Sequence, residues 1–387
     1  MTDSTREIVI LGATGSIGRS TLDVVRASVG QMRIAALTAH RQFDLLCQQA
    51  AEFQVPTVIA TDPLAAKAFD WSRLPRTTEL KIGPEHVATA VSLPQIDTVV
   101  TAVVGRAGLE GTWAAVQAGK RVALANKEAL VVAGSLMMAQ ARTANALILP
   151  VDSEHSAIFQ ALRCGRREDL QRIILTASGG PFRRHTQEQL EQVTVAEALA
   201  HPTWQMGPKI TIDSATMTNK ALEIIEARWL FDLAPDQIEV VVHPQSIVHS
   251  LVEYVDGSVV AQMSPPDMRL PIQYALTYPA RTVGPARKLQ WQQPFTLEFE
   301  PPDEDRFPAL RLGKEVAAAG GTTGAVFNAA NETAVAAFLA GRIRLPQIAA
   351  ACRAVLETHH FEPHPTLSQL LELDSWGRKE TERWIGA

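Results

Sequence analysis

The chain has 387 residues, 46% of them hydrophobic and 20% charged, with a formal net charge of −5; its isoelectric point is near 6.1 and its mean hydropathy +0.01. At roughly 150 residues per domain this predicts two or three soluble globular domains, large enough to bury cores without disulfides. The composition excludes fibrous and largely disordered chains, and the acidic balance argues against a nucleic-acid partner.

The polar start, residues 1–6, carries no signal or transit pattern. No apolar run approaches the roughly 18 residues of a membrane helix, so the expectation is a cytoplasmic protein without a membrane partner. Three scattered cysteines, Cys47, Cys164 and Cys352, allow neither a disulfide framework nor a CxxC metal site and read as small core residues.

Residues 1–150 alternate short β-rich runs (7–11, 33–37, 57–60, 98–104, 121–125, 146–151) with alanine-rich helical stretches such as 18–27 and 112–118. Alternation of this kind predicts an α/β class: parallel strands, right-handed crossovers and a Rossmann-like doubly wound sheet. From 151 to 278 the pattern becomes α+β. Runs 238–242, 247–254 and 258–263 read as antiparallel strands, with Asp256-Gly257 as a hairpin turn. Residues 279–305, rich at first in proline, glutamine and arginine, read as a linker. Residues 306–387 are helical and alanine-rich (309–319, 324–340, 345–358), which predicts a C-terminal helical bundle.

The first strand runs into Gly12-Ala13-Thr14-Gly15-Ser16-Ile17-Gly18, which opens a helix. Glycines there allow a tight turn and close approach of a pyrophosphate to the helix N-terminus. The second strand ends in Thr38-Ala39-His40-Arg41. NAD-binding folds place an acid at this point; His40 and Arg41 instead suit a 2′-phosphate, hence NADP. Further on, Asn126-Lys127-Glu128 sits where a strand meets its helix. It can face nicotinamide or ribose, or simply be a polar helix start.

Asp152-Ser153-Glu154-His155 follows the strand at 146–151. Carboxylates at i and i+2 share a cation if the backbone stays extended, but on a helix they diverge by about 200°. Taken alone, the pair reads better as a helix start with Asp152 as its cap. Residues 173–176 read as a strand leading into Ala177-Ser178-Gly179-Gly180, either an anion nest or an ordinary turn. His201-Pro202-Thr203-Trp204-Gln205-Met206-Gly207-Pro208 fits no regular element and reads as a lid. Residues 210–213 read as a strand; on the helix after it, Asn219, Lys220 and Glu223 share one face, while Leu222, Ile225 and Trp229 form the buried stripe.

The ordered set of motifs at 12–18, 123–128, 151–156, 176–182, 201–207, 213–231, 264–274 and 320–339 resembles the 1-deoxy-D-xylulose 5-phosphate reductoisomerase family across nearly the whole chain. The resemblance implies reduction and rearrangement of a phosphosugar, 1-deoxy-D-xylulose 5-phosphate, to 2-C-methyl-D-erythritol 4-phosphate. NADPH and Mg²⁺, Mn²⁺ or Co²⁺ would be the cofactors, and a homodimer the assembly. It further implies Asp152, Glu154 and Glu223 as metal ligands. Ser178, Ser214, Asn219 and Lys220 would hold the substrate's phosphate and hydroxyls, with Ser153 near the metal and Lys127 and Glu154 at the reacting carbons. His201, Trp204 and Met206 would form the lid, with Met268 against the nicotinamide and substrate. Thr14, Gly15, Ser16 and Ile17 would hold the pyrophosphate, Ala39, His40 and Arg41 the 2′-phosphate region, Asn126 and Glu128 the ribose, with Met206 and Gly207 closing over the cofactor. Two positions depart from the family pattern: Ala177 stands where glycine is frequent, and Pro208 where a basic residue is frequent.

A cation chelated by three carboxylates can bind a ketone oxygen and a neighbouring hydroxyl together. A plain NADP-dependent dehydrogenase is the alternative; its thioester form needs an activated cysteine, for which Cys164 is the candidate. An NADPH-sensing regulator leaves the acidic residues without a purpose.

Overall fold

The computed structural model describes residues 5–204 and 206–387; residues 1–4 of the polar start and Gln205 of the expected lid lie outside the described residues. In chain order the first elements are β1 (Arg6–Leu11), α1 (Ser16–Ala27), β2 (Met32–Ala39), α2 (Phe43–Glu52), β3 (Thr57–Ala60), α3 (Pro63–Ala68), β4 (Glu79–Ile82), α4 (Glu85–Ser92), β5 (Thr98–Thr101), α5 (Leu109–Gln117), β6 (Arg121–Leu124), α6 (Glu128–Ala144), β7 (Leu147–Pro150) and α7 (Ser153–Ala161). There follow β8 (Leu170–Ala177), the short helices α8 (Gln187–Leu190) and α9 (Val195–Ala198), then α10 (Pro208–Ala215), α11 (Thr218–Leu230), β9 (Ile238–Val242), β10 (Val248–Tyr254), β11 (Val259–Met263) and α12 (Arg269–Thr277). The last helices are α13 (Ala309–Ala319), α14 (Thr323–Leu339), α15 (Gln347–Thr358) and α16 (Leu367–Gly386).

Two compact units result. The first takes the described residues up to Ala129 with Met137–Ser156 and Asp267–Ala286; the second takes Leu130–Leu136, Ala157–Pro266 and Arg287–Ala387. Sequence divisions at 150, 278 and 305 cut the chain differently. The reason is that α12 packs on α1, β6 and β7, returning residues 267–286 to the first unit, while α13 packs on α11 within the second.

The first unit is the doubly wound α/β fold expected from the sequence. Its sheet runs β4-β3-β2-β1-β5-β6-β7, and all neighbouring strands are parallel. Helices cover both faces of such a sheet, which is why Ile8–Leu11 is a continuous buried run rather than an alternating one. Strand order reverses between β1 and β5, and the carboxyl ends there form the crevice in which this fold binds ligands.

The second unit carries a four-stranded sheet, β11-β10-β8-β9. The Asp256-Gly257 hairpin joins β10 to β11 as expected, with Gly257 at φ +84° and Ser258 N–H donating to Asp256 Oδ1. The expectation of three antiparallel strands needs correcting: β9 lies beside β8 and parallel to it. Because α11 intervenes, β8–α11–β9 is a crossover unit, which demands parallel pairing. The 279–305 stretch is extended and mostly exposed, touching the sheet edge through a bridge between Val242 and Glu300. Helix α14 is buried on nearly all sides, with Phe327 and Phe338 at the centre of the unit's core.

Residues 210–213, read as a strand from Ile210, Thr211 and Ile212, are helical within α10. Gly207 caps that helix and Pro208 occupies its first turn, a start signal that outweighs β-branched propensity. Asp152-Glu154 is likewise a helix start: Asp152 stands just before α7, and Ser156 N–H donates to its carbonyl. Cys47 and Cys352 are buried, but Cys164 is exposed, contrary to its reading as a core residue.

Candidate active site

In the first unit, the turn after β1 is held from two sides. Gly12 N–H donates to Thr38 Oγ1 (2.9 Å), Ala13 N–H to the Thr38 carbonyl (2.9 Å), and buried Gln49 Nε2 to the Ala13 carbonyl (3.1 Å). Gly12 sits at φ +82°, and a Cβ there would lie 2.8 Å from the Ala102 carbonyl oxygen; at Gly18 it would lie 2.4 Å from the Gly12 and Ala13 oxygens. Side chains are thus excluded from the approach to the α1 N-terminus. No acid occupies the first turn of α1, so its positive end stays available to an anion. Thr14, Gly15, Ser16 and Ile17 surround that end.

At the end of β2, Ala39 is buried while His40 and Arg41 are exposed. The structure adds a partner that the reading missed. Asp62, after β3, accepts from Arg41 Nε at 2.6 Å, lies 3.7 Å from His40 Nε2, and caps α3 through Leu64 and Ala65 N–H. The Arg41 hydrogen bond holds the Asp62 carboxyl below its usual range.

Asn126 is buried with its amide engaged by protein. Nδ2 donates to the carbonyls of Val103 (2.6 Å) and Gly105 (2.9 Å) and to Glu128 Oε2 (3.1 Å), and Oδ1 accepts from Ala129 N–H. It therefore shapes the turn before α6. Lys127 Nζ stands 2.5 Å from Asp152 Oδ2, and His155 Nδ1 3.3 Å from Asp152 Oδ1. Burial opposes ionisation of Asp152, but Lys127 and His155 outweigh it and hold the carboxyl well below the usual range. Ser153 Oγ donates to Glu154 Oε2 at 2.6 Å. Carboxylate oxygens of Asp152 and Glu154 come within 4.8 Å of each other. The 200° divergence feared for a helix does not apply, because Asp152 lies outside the helix that Glu154 has entered.

In the second unit, β8 runs into Ser178 and two glycines at φ +81° and +65°. His201 bridges two serines: its Nε2 lies 3.1 Å from Ser178 Oγ and 3.1 Å from Ser214 Oγ. Its Nδ1 accepts from Thr203 N–H (3.1 Å) and Trp204 N–H (3.0 Å), so Nε2 carries the proton. Burial pushes the imidazole pKa down, favouring this neutral form. Beyond α10, Met217 in left-handed conformation (φ 60°) turns the chain into α11. There Asn219 Nδ2 donates to Glu223 Oε1 at 2.5 Å, and Lys220 pairs with Glu223 Oε2. Lys220 is 3% exposed and Glu223 1%. A Lys–Glu pair at helical spacing is ordinarily a solvated surface feature. Buried this deeply, it is a candidate functional pair.

Three family models match, all describing one enzyme: 1-deoxy-D-xylulose 5-phosphate reductoisomerase over residues 8–134, its C-terminal domain over 148–231, and DXP reductoisomerase C-terminal domain over 263–380. The chain belongs to the 1-deoxy-D-xylulose 5-phosphate reductoisomerase family. The reductoisomerase of Pelodictyon phaeoclathratiforme is 50% identical over 98% of this chain and 100% of its own length. That of Geobacter sp. strain M21 is 50% identical over 98% and 99%. A DOX-P reductoisomerase crystal structure in complex with NADPH, fosmidomycin and magnesium superposes with a TM-score of 0.92, 41% identity and 98% coverage of both chains. The Zymomonas mobilis reductoisomerase in complex with NADPH gives 0.91, 41% and 99% of both chains. The family, the reductoisomerase activity and the NADP-dependent oxidoreductase class expected from the sequence hold; the dehydrogenase alternative is not favoured. Among the described residues, no helix is long and apolar enough to cross a membrane.

Within the reductoisomerase chain, the structure gathers Ser178, His201 and Ser214 and, along α11, Asn219, Lys220 and Glu223. Trp204 is half-buried with its ring 6.3 Å from that of His249; Met206 is half-buried and Gly207 is exposed at the α10 cap. Met268, half-buried, precedes α12 in the first unit. Reading from sequence gave no role to His155, His249, Lys209 or Asn331. His155 lay in view beside the acidic pair. Lys209 sits four residues before Asp213, a spacing open to view, whereas His249 and Asn331 pair only at long range.

Proposed function

We propose that this chain converts 1-deoxy-D-xylulose 5-phosphate to 2-C-methyl-D-erythritol 4-phosphate, working in the cytoplasm as a homodimer. The observation that carries the residue assignment is the buried Lys220–Glu223 pair in the same unit as two serines bridged by one imidazole. Hydroxyls, an amide and an ammonium together suit a phosphomonoester and a polyol.

Both cofactors suit the residues present. Gly12 and Gly18 leave no room for side chains where a pyrophosphate approaches, and the α1 N-terminus carries no competing acid. Asp152 and Glu154 present hard oxygen donors within 4.8 Å, the chemistry that Mg²⁺ and Mn²⁺ select. When bound, the cation polarises substrate oxygens and NADPH supplies the hydride.

The chain's own residues do the rest. As the family resemblance implies, Asp152, Glu154 and Glu223 would hold the cation, and Ser153 orients Glu154 through its hydroxyl. Lys127 neutralises Asp152 and stands at the reacting carbons. Ser178, Ser214, Asn219 and Lys220 grip the phosphate and hydroxyls, with His201 donating from Nε2. Trp204 and Met206 would exclude water, and Met268 would pack on the nicotinamide. Thr14, Gly15, Ser16 and Ile17 hold the pyrophosphate, His40 and Arg41 the 2′-phosphate beside Ala39, and Glu128 the ribose, with Gly207 at the edge of the cofactor.

The test is NADPH oxidation with 1-deoxy-D-xylulose 5-phosphate, first with Mg²⁺ and then with excess chelator. Oxidation that needs substrate and metal, and that Glu223→Gln abolishes, supports the proposal. Full turnover after complete metal removal returns the chain to a plain dehydrogenase.

A further inference from the structure

Helix α10 begins where the 201–207 loop ends and finishes with Ser214 in its last turn. Eight residues are too few to hold a helix in place by themselves, so its orientation comes from tertiary ties. One of these, from α14, reaches a buried carboxylate that also carries an ion pair within α10 itself. Asp213, 1% exposed, accepts from Lys209 Nζ on Oδ2 at 2.8 Å and from Asn331 Nδ2 on Oδ1 at 2.9 Å. Asn331 lies on α14, fully buried, and its Oδ1 has no hydrogen-bond partner among the described residues.

The ion pair runs against the helix dipole, with the cation in the first turn of α10 and the anion in the last. Helices favour the reverse order, so this pair is poorly placed for α10's own stability. A local preference broken at a buried charge next to a ligand-bearing residue points to function.

We propose that Asp213 and Asn331 are positioning residues for the substrate phosphate. Asn331 ties the end of α10 to the central helix α14, while Lys209 ties the start of α10 to the same carboxylate. Ser214 Oγ and the loop carrying His201 are thereby held in one register. This rests on the reading of Ser214 as a phosphate ligand.

Asn328 provides a matched control. It lies on the same helix, is equally buried, has an Oδ1 without a partner among the described residues, and gives its Nδ2 to an acid of its own helix, Glu332 Oε1, at 3.1 Å rather than to Asp213. The experiment compares Asn331→Ala, Asn328→Ala and Ser214→Ala by steady-state kinetics in both substrates, with thermal melting alongside. The expected result is a rise of about tenfold in KM for the phosphosugar in Asn331→Ala, with KM for NADPH unchanged, while Asn328→Ala lowers the melting temperature comparably and leaves both KM values alone. A raised KM in Ser214→Ala with none in Asn331→Ala overturns the inference and leaves the phosphate reading standing. No change in Ser214→Ala removes that reading and the inference with it. Equal KM effects in Asn331→Ala and Asn328→Ala reduce Asn331 to a packing residue.

Discussion

Replacing Gly180 by alanine tests the phosphate loop with a magnitude that the structure sets. Gly180 has φ +65°, and an added Cβ would lie 2.7 Å from the Ser214 carbonyl oxygen. The left-handed conformation costs about 1–2 kcal/mol for an L-residue. Relieving the clash to an ordinary 3.4 Å contact needs a shift of about 0.7 Å in the turn or in the last turn of α10, adding roughly 1–3 kcal/mol. The total, about 2–5 kcal/mol, leaves a domain of ordinary stability folded. Because the displaced group carries Ser214, kcat/KM for the phosphosugar should fall roughly ten- to a hundredfold, with KM for NADPH unmoved. Gly257→Ala is the comparison: its φ is +84° but nothing lies within 4 Å of an added Cβ, so it bears the strain alone. Steady-state kinetics and denaturant melts on both variants decide the matter. If Gly180→Ala keeps native kcat/KM, or Gly257→Ala loses as much, then the turn after β8 does not hold the phosphate.

Arg41→Ala should raise KM for NADPH about tenfold and leave KM for NADH, measured alongside, unchanged; an equal loss with both would dismiss the 2′-phosphate reading. His201 has a folded-state pKa below its unfolded value, so protons favour the unfolded chain. Stability should therefore drop as pH falls below about 6.5, and melting curves of His201→Asn should show less of that drop. Chelator titration of the holoenzyme should silence turnover, and Mg²⁺ should restore it. Cys164 should react with a thiol reagent in the folded protein without loss of activity, while Cys352, its thiol pushed up by burial, reacts only on unfolding.

Much of this protein was legible before folding. The glycine loop, the β-α alternation and the Asp-Gly hairpin depend on backbone rules that act over a few residues, so local sequence states them directly. Residues 210–213 misled because β-branched side chains signal strand propensity, whereas Gly207-Pro208 and packing on α14 settle for helix. At Asp152 the local helix-start reading was right, and the convergence of its carboxylate with that of Glu154 came from the cap position, which periodicity does not describe. Lys220 and Glu223 were visible as an i, i+3 pair, but not as a buried one. Burial depends on which faces neighbouring elements cover, and those elements arrive from distant parts of the chain. The same holds for Asp62 beside Arg41 and for Asn331 beside Asp213, pairs separated by 21 and 118 residues. Sequence determined the types of element and the chemistry on offer. Tertiary structure decided which charges lose their water, and it is desolvation that turns an ordinary ion pair into a functional one.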